Sequence, residues 1–319
     1  MSVLALDIGG TNLRSMVLDS SLDGYDTIFP GGERPTLCKV ERGSDGTLDI
    51  TAVGSVVQGY IKAGRAKPGV AEIEAIGVSI AGTVDRSRRV VVRAMNLGLT
   101  EVELARMLEH AAGVPVVLET DSFAAGLAEA RLGSGRGYDP VLFLTIGTGI
   151  GHAVMCAGEV LRGARSGASV FGHICVEPNG VECYCGRRGC LCMYASGPGV
   201  AALARSAGYD SDGESVSRAA RKGESWALAV VAQADMYLAR ALAGALSLIN
   251  PARVVIGGGA FPPDAERFMR LQALVAERVH PSVEPIEIVP GRFPERASLV
   301  GAGLMAEDLV SGKERGEHG

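Results

Sequence analysis

Four of the seven cysteines, Cys183, Cys185, Cys190 and Cys192, fall within ten residues of the chain. This spacing does not suit an ordinary set of disulfides, and thiols are expected to stay reduced in an intracellular protein. Clustered thiols in such a chain are more typical of metal ligands than of covalent bridges. The segment 183–192 therefore indicates a metal site.

Three glycine-rich turns, Asp7–Asn12, Thr145–Gly151 and Ile256–Ala260, lie at the ends of strand-like segments. Glycines let the backbone approach a ligand closely, and successive N–H groups form a nest that binds anions. The first two turns suit phosphate groups, and the third offers bare backbone to a nucleotide base or ribose. The predicted nucleotide-binding residues are Asp7, Gly9, Gly10, Thr11, Asn12, Gly147, Thr148, Gly149, Gly257, Gly258 and Gly259.

Asp7 stands at the head of the first glycine-rich turn, directly after an apolar strand-like run. One interpretation is a carboxylate that merely shapes the turn. Its place at a strand end beside an anion-binding nest better fits a ligand for the Mg²⁺ that accompanies nucleotide phosphates.

The elements that position these turns alternate between apolar strands and helices, which predicts an α/β fold. The expected helices cover residues 50–63, 101–112, 122–132, 199–206, 226–249 and 263–279. Residues 3–18 and 141–156 align without gaps at an offset of 138 residues, and both run strand, glycine-rich turn, strand. Two unrelated hairpins are one explanation. The other is a pair of duplicated lobes that each present a turn to a shared cleft.

Composition and charge restrict the class of function. The chain has 319 residues, which suggests about two domains, and a net charge of −5, which argues against a nucleic-acid partner. The most apolar long stretch, 227–249, contains Gln233, Asp235 and Arg240, so no membrane span is expected. The apolar run 3–6 has no basic flank and no cleavage site, which predicts a cytoplasmic protein without a secretory signal.

Over nearly its whole length the chain resembles the ROK family of sugar kinases and repressors. The motifs are LALDIGGTNLR (4–14), GVSIAGTVD (77–85), VVLETDSFAAGLAE (116–129), TIGTGIG (145–151), FGHICVEPNGVECYCGRRGCLCMYASG (171–197) and NPARVVIGGG (250–259). The resemblance implies a two-lobed actin-like ATPase (ribonuclease H-like) fold with a central cleft. It implies one lobe at 1–121, with a C-terminal helix near 298–311, and a larger lobe at 122–297. The larger lobe would carry the zinc site and the surface of a homodimer.

The family's zinc signature, Cys-x-Cys-Gly-x-x-Gly-Cys, is present at residues 183–190. Three thiolates and one imidazole make a closed tetrahedral set, which is typical of structural rather than catalytic zinc. The resemblance supplies the imidazole from His173, so that the implied ligands are His173, Cys183, Cys185 and Cys190. Cys192 could compete as the fourth ligand, and a satisfied core histidine is the alternative for His173.

The resemblance assigns catalysis to Asp121, which follows the strand 116–118 and begins a helix. Family kinases use such an aspartate to deprotonate a sugar hydroxyl that attacks the γ-phosphorus of ATP. Aspartate is also a good helix N-cap, which is the structural alternative. The implied cofactors are ATP, Mg²⁺ and a structural Zn²⁺.

The substrate side departs from the family at three positions that usually carry asparagine, glutamate and glutamate. They are Thr120, Val170 and Cys192 here, and Ala81 replaces a proline. Losing two charged acceptors predicts that ordinary hexoses are poor substrates, unless a loop shift brings in Glu177 or Glu182. The substrate-binding residues implied by the resemblance are Gly82, Asn96, Thr120, Asp121, Val170, His173 and Cys192, and Phe123 is expected nearby.

Three classes of function compete. The leading interpretation is an ATP-dependent kinase of a sugar or sugar-like polyol, with a C7-cyclitol of a natural-product pathway as one alternative substrate. A catalytically weak sensor that keeps ATP but has lost sugar binding is a second. A sugar-responsive repressor is disfavoured, because such repressors carry an extra N-terminal helix-turn-helix domain and Asp7 is the seventh residue here. The expected partner is a small molecule, with no nucleic acid and no membrane.

Overall fold

The computed structural model describes residues 2–19, 36–66, 72–164, 166–283, 286–293 and 295–312. The chain divides into two compact units. The first unit is formed by Met1–Ala128, Gly163–Gly167 and Arg296–Gly319, and the second by Glu129–Arg162 and Ala168–Glu295.

A mixed five-stranded sheet forms the centre of the first unit. Its strands are β1 (Ser2–Ile8), β2 (Asn12–Asp19), β3 (Thr36–Lys39), β4 (Ile73–Ile80) and β8 (Val116–Thr120). Their order is β3-β2-β1-β4-β8, with β1, β4 and β8 parallel and β2 antiparallel to both of its neighbours. The apolar side chains of β1 and β4 form one buried core with helices α1 (Ile50–Ala66) and α2 (Leu104–Ala112).

The last helix, α9 (Ala297–Ser311), packs on β1 and β4 at very short range. A Cβ atom at Gly77 would lie 1.7 Å from the carbonyl oxygen of Ala302, so only glycine permits this approach. A Cβ atom at Gly301 would likewise lie 1.8 Å from the carbonyl oxygen of Ala124. Gly77 thus seats α9 directly on β4, and Gly301 seats it on the helix that begins at Asp121.

The second unit is built on another mixed five-stranded sheet. Its strands are β9 (Val141–Ile146), β10 (Ile150–Cys156), β11 (Glu159–Val160), β12 (Arg253–Gly257) and β13 (Ile288–Pro290), in the order β11-β10-β9-β12-β13. The core of this unit joins the sheet to two helices, which are the long α7 (Ser225–Ile249) and α8 (Ala265–Ala276). The helices after β8 are α3 (Asp121–Arg131), α4 (Cys192–Ala195), α5 (Gly197–Ser206), α6 (Gly213–Arg221), α7 (Ser225–Ile249) and α8 (Ala265–Ala276).

The two sheets share one topology. In each, an antiparallel hairpin is extended by a third antiparallel strand on one side and by two parallel strands on the other. The glycine-rich turns close the equivalent hairpins β1–β2 and β9–β10. This common order supports duplication over two unrelated hairpins, and the α/β prediction is confirmed.

The predicted helix 101–112 begins too early. Residues Leu99–Val102 form strand β7 instead, which pairs with β6 (Val90–Ala94) in a small antiparallel sheet with β5 (Thr83–Asp85). Glu101 has a φ of 51°, a left-handed conformation that no helix interior adopts. Within the described ranges, no helix combines the length and the hydropathy that a membrane crossing requires.

Candidate active site and metal centre

The carboxylate of Asp7 is fixed by the register of the first sheet. Asp7 lies opposite Ser79 on the parallel strand β4 and opposite Arg14 on the antiparallel strand β2. Ser79 Oγ donates a 2.6 Å hydrogen bond to Asp7 Oδ1, and Arg14 Nη1 lies 3.5 Å from Oδ2. Asp7 is almost wholly buried. Its side chain is therefore held at the strand end that opens into the turn 9–12.

Asp121 is the first residue of α3 and follows β8 directly. Its Oδ1 accepts a 2.7 Å hydrogen bond from the backbone N–H of Ser122. Burial raises the pKa of Asp121 to about 7, and the negative charge of Asp7 adds to the rise, whereas the Ser122 N–H opposes it. The first unit thus brings together a buried carboxylate and a second carboxyl group that titrates near neutral pH.

The hydroxyl of Thr120 is the second polar feature beside Asp121. Thr120 is 3% exposed, and its Oγ1 has no hydrogen-bond partner among the described residues. Its backbone N–H donates to the Oε1 of Glu119, whose other oxygen lies 3.7 Å from Arg86 Nη1. A buried hydroxyl without a partner is costly in a folded protein and is a typical position for contact with a ligand.

Arg42, which carried no signal in the sequence, joins the first glycine-rich turn to the segment around Asn96. Its Nη2 donates to the carbonyl oxygens of Gly10 at 2.8 Å and of Asn96 at 2.7 Å. Gly82 directly precedes strand β5. A Cβ atom at this position would lie 2.7 Å from the carbonyl oxygen of Arg93. Close backbone packing is thus one demonstrated reason for glycine at position 82.

The second unit brings its two glycine-rich turns together. β9 and β12 are parallel neighbours, so the turns at their ends lie at the same edge of the sheet. Gly258 has a φ of 95°, and a Cβ atom there would lie 2.3 Å from the carbonyl oxygen of Ile146. The N–H of Ala260 donates to this same oxygen at 2.9 Å. The backbone at Gly258 therefore packs directly on the end of β9, whereas Gly147 and Gly259 border open space.

The predicted metal ligands converge in the second unit. His173, Cys183, Cys185 and Cys190 present ligand atoms that all lie within 4.8 Å of one another. Cys183 Sγ is 3.6 Å from His173 Nδ1, and Cys185 Sγ is 3.7 Å from Cys190 Sγ. Zinc–sulfur bonds of about 2.3 Å place tetrahedral thiolates about 3.8 Å apart, so these separations suit one zinc ion. The donor set therefore fits a structural zinc.

Local backbone conformation explains the two glycines of the cysteine motif. Gly186 and Gly189 have φ values of 83° and 70°, which favour glycine. At Gly189 a Cβ atom would lie 1.7 Å from the carbonyl oxygen of Glu177. Burial lowers the pKa of His173, which favours the neutral imidazole that a metal requires.

The two other departures on the substrate side, at positions 170 and 192, have different environments. Val170 is 54% exposed and offers no charge where the family usually has glutamate. Cys192 is buried, with its Sγ 3.7 Å from Cys183 Sγ. Phe123, which was expected near these positions, is fully buried. Its position on α3 directs the ring into the protein interior.

Comparisons with known proteins place this chain among sugar kinases. A glucokinase from Thermotoga maritima is 33% identical over 255 residues, 74% of this chain and 80% of its own. A kanosamine kinase from Amycolatopsis mediterranei is 32% identical over 314 residues, 97% of each chain. The structure of a ROK family glucokinase from Streptomyces griseus in complex with glucose and AMPPNP is 27% identical, with a TM-score of 0.75 over 97% of this chain and all of that one.

The paired five-stranded sheets and these relatives define a carbohydrate kinase of the actin-like ATPase fold. Residues 3–309 match the ROK family as a whole. The chain belongs to the ROK family, as its motifs predicted.

Proposed function

We propose that this chain transfers the γ-phosphoryl group of ATP to a hydroxyl of a sugar or sugar-like polyol, with Asp121 as the general base. The observation that carries the proposal is the position of Asp121 at the head of α3, with its pKa raised to about 7. A base with this pKa accepts a proton at neutral pH and releases it again after transfer. Oδ1 is occupied by the Ser122 N–H, so Oδ2 would take the proton of the attacking hydroxyl.

The nucleotide is assigned to the glycine-rich turns. In the first unit, Gly10, Thr11 and Asn12 would donate to phosphate oxygens. Gly9 would let the backbone approach them closely, since its own N–H already donates to the Asn12 carbonyl oxygen at 2.9 Å. In the second unit, residues 147–149 would face phosphate oxygens, and residues 257–259 would face the base or ribose. Asp7 would hold Mg²⁺, because a carboxylate oxygen is a preferred ligand of this ion. When bound, Mg²⁺ supplies positive charge against the phosphates. Ser79 and Arg14 orient the Asp7 carboxylate for that contact.

The metal centre is assigned to one structural zinc, held by His173, Cys183, Cys185 and Cys190. The group supplies no chemistry to the transfer. It would instead fix the loop 183–190 relative to the segment that carries His173.

We also propose a homodimer formed through the larger lobe, residues 122–297. Light scattering of the purified chain tests this proposal by measuring its mass in solution.

The kind of substrate is inferred from the three altered positions of the substrate site, Thr120, Val170 and Cys192. The further residues that would contact the substrate are Gly82, Asn96 and His173. Two carboxylates of the family are absent, so a compound that presents fewer hydroxyls, a carbonyl or another substituent at that end fits better than a plain hexose. The similarity to a kanosamine kinase adds the amino sugar kanosamine to the candidates, beside a C7-cyclitol.

The buried hydroxyl of Thr120 is assigned to a direct substrate hydrogen bond. Thr120→Val keeps the shape of the side chain but removes that bond. We expect a roughly 2–10-fold rise in KM at nearly constant kcat, the effect of one neutral hydrogen bond. Thr100→Val, at an exposed threonine of β7, is the matched control and should leave KM unchanged. An unchanged KM in Thr120→Val removes Thr120 from the substrate site.

A coupled assay of ADP release tests the function itself. The acceptors are glucose, N-acetylglucosamine, N-acetylmannosamine, kanosamine and a valiolone-type cyclitol, each with MgATP. Turnover on any acceptor supports the kinase. High kcat/KM on glucose or an N-acetylhexosamine contradicts the altered specificity and leaves the kinase standing, whereas no turnover on any acceptor favours the weak sensor.

A further inference from the structure

The metal centre contains one donor more than a tetrahedral ion can use. Cys192 is not part of the set of four, yet its Sγ lies 3.7 Å from Cys183 Sγ and 3.8 Å from His173 Nδ1. The sulfur–sulfur separation matches the edge of about 3.8 Å between two thiolates of a tetrahedral zinc site, and the sulfur–nitrogen separation is slightly longer than the edge of about 3.5 Å between a thiolate and an imidazole. The Cys192 thiol therefore lies directly beside the His173 nitrogen that would bind the metal.

The backbone fixes Cys192 at this place. Leu191 N–H donates to the carbonyl oxygen of Ile174 at 2.9 Å, which ties the chain after Cys190 to the residue that follows His173. Cys192 begins α4, and its carbonyl oxygen accepts a hydrogen bond from the hydroxyl of Ser196. Its side chain is 3% exposed, so the thiol faces the other donors rather than solvent.

We propose that Cys192 is a reserve zinc ligand, which takes the coordination position of His173 when the imidazole leaves the ion. The inference rests on the proposed zinc. Thiolates are strong ligands for zinc, and four of them form a complete structural site. The exchange breaks one zinc–nitrogen bond and forms one zinc–sulfur bond, while the Cys192 thiol gives its proton to the released imidazole, whose Nδ1 lies 3.8 Å away. His173 could then bind substrate without release of the metal.

Metal content of three full-length variants tests this exchange. His173→Ala should keep one zinc per chain after dialysis against a weak chelator, because Cys192 completes the site. His173→Ala/Cys192→Ser should lose most of its zinc. The matched control is His173→Ala/Cys156→Ser, in which the second substitution removes an exposed thiol outside the cluster, and it should behave as His173→Ala.

Cobalt substitution identifies the ligands directly. Replacing an imidazole by a fourth thiolate should raise the sulfur-to-cobalt charge-transfer absorbance of His173→Ala by about one third over the wild-type chain. Loss of metal from His173→Ala, or no gain in this band, overturns the proposal. Retention of zinc by the double variant with Cys192→Ser overturns it as well.

The single variant Cys192→Ser keeps the inference testable if the double variant does not fold. It should release zinc to a chromophoric chelator several-fold faster than Cys156→Ser, because no reserve thiolate captures the ion when His173 departs. Equal release rates contradict the proposal. A wild-type chain without zinc would instead contradict the zinc assignment itself, and the reserve role with it.

Discussion

Ser79 donates a 2.6 Å hydrogen bond to Asp7, across the neighbouring parallel strands β4 and β1. Both residues are buried, so the Ser79 hydroxyl supplies a hydrogen bond that the Asp7 carboxylate would otherwise receive from water. The contact follows from strand register, because Asp7 and Ser79 are paired positions of the sheet. Ser79 is therefore a positioning residue for the carboxylate that we assign to Mg²⁺.

Ser79→Ala tests this role. The substitution leaves a buried carboxylate oxygen without its donor, so we expect the free energy of unfolding to fall by about 1–3 kcal/mol. The KM for MgATP should rise in the same variant. The matched control is Ser55→Ala, whose hydroxyl bonds to the Thr51 carbonyl oxygen on an exposed helix face and should cost less than about 0.5 kcal/mol. Urea unfolding measures the free energy of unfolding of both variants. An equal loss of stability in Ser79→Ala and Ser55→Ala would contradict the assignment.

The pH dependence of kcat/KM reports the ionisation of Asp121. Burial and the charge of Asp7 raise its pKa to about 7, so the base is protonated and inactive in acid. We expect kcat/KM to rise with pH and to reach half of its maximum near pH 7. An acid limb centred near pH 4, the range of an unperturbed aspartate, would show that the site does not desolvate Asp121.

The same pKa shift predicts a pH-dependent gain in stability for Asp121→Asn. In the wild-type chain the folded pKa, about 7, lies above the ordinary value of 3.8, so the folded state binds the proton more tightly. This contribution to stability is complete below pH 3.8 and is lost as the pH rises to about 7. The Asn variant has no such loss. Its Tm should exceed that of the wild type at pH 8 by more than at pH 5, and an equal difference at both would refute the shift.

Cys185→Ser tests the metal centre. The substitution is made together with Cys192→Ser, so that the reserve thiolate cannot complete the site. The double variant should lose bound zinc, and its Tm should fall by about 6–12 °C, the effect of losing roughly 3 kcal/mol in a domain of this size. Cys156→Ser, at an exposed thiol outside the cluster, should change neither quantity. One zinc per chain and an unchanged Tm in Cys185→Ser/Cys192→Ser would show that the ligand set is wrong.

Much of the fold was accessible from the sequence. The repeated strand, glycine-rich turn and strand at positions 3 and 141 predicted the two equivalent hairpins, because the pattern carries both apolar alternation and turn chemistry. The small sheet β5–β7 was missed. Its strands are three to five residues long, too short for a period to show, and the left-handed conformation of Glu101 has no signature in its residue type.

The site divides in the same way. The motif around Asp121 and the spacing of the cysteines were visible, since each is local in sequence. The contact of Ser79 with Asp7 depends on register between strands 72 residues apart, and Arg42 reaches Asn96 over 54 residues. The proximity of Cys192 to His173 arises from the path of an irregular loop. Pairings of this kind need the folded backbone.

Turnover of Asp121→Asn is the most direct test of the proposed mechanism. The variant keeps the shape of the side chain and removes the base. With the best acceptor of the panel and saturating MgATP, we expect kcat to fall by about 10²–10⁴-fold while nucleotide affinity, measured by calorimetry, stays close to that of the wild type. A variant that keeps the kcat of the wild-type enzyme would contradict the assignment of Asp121 as general base.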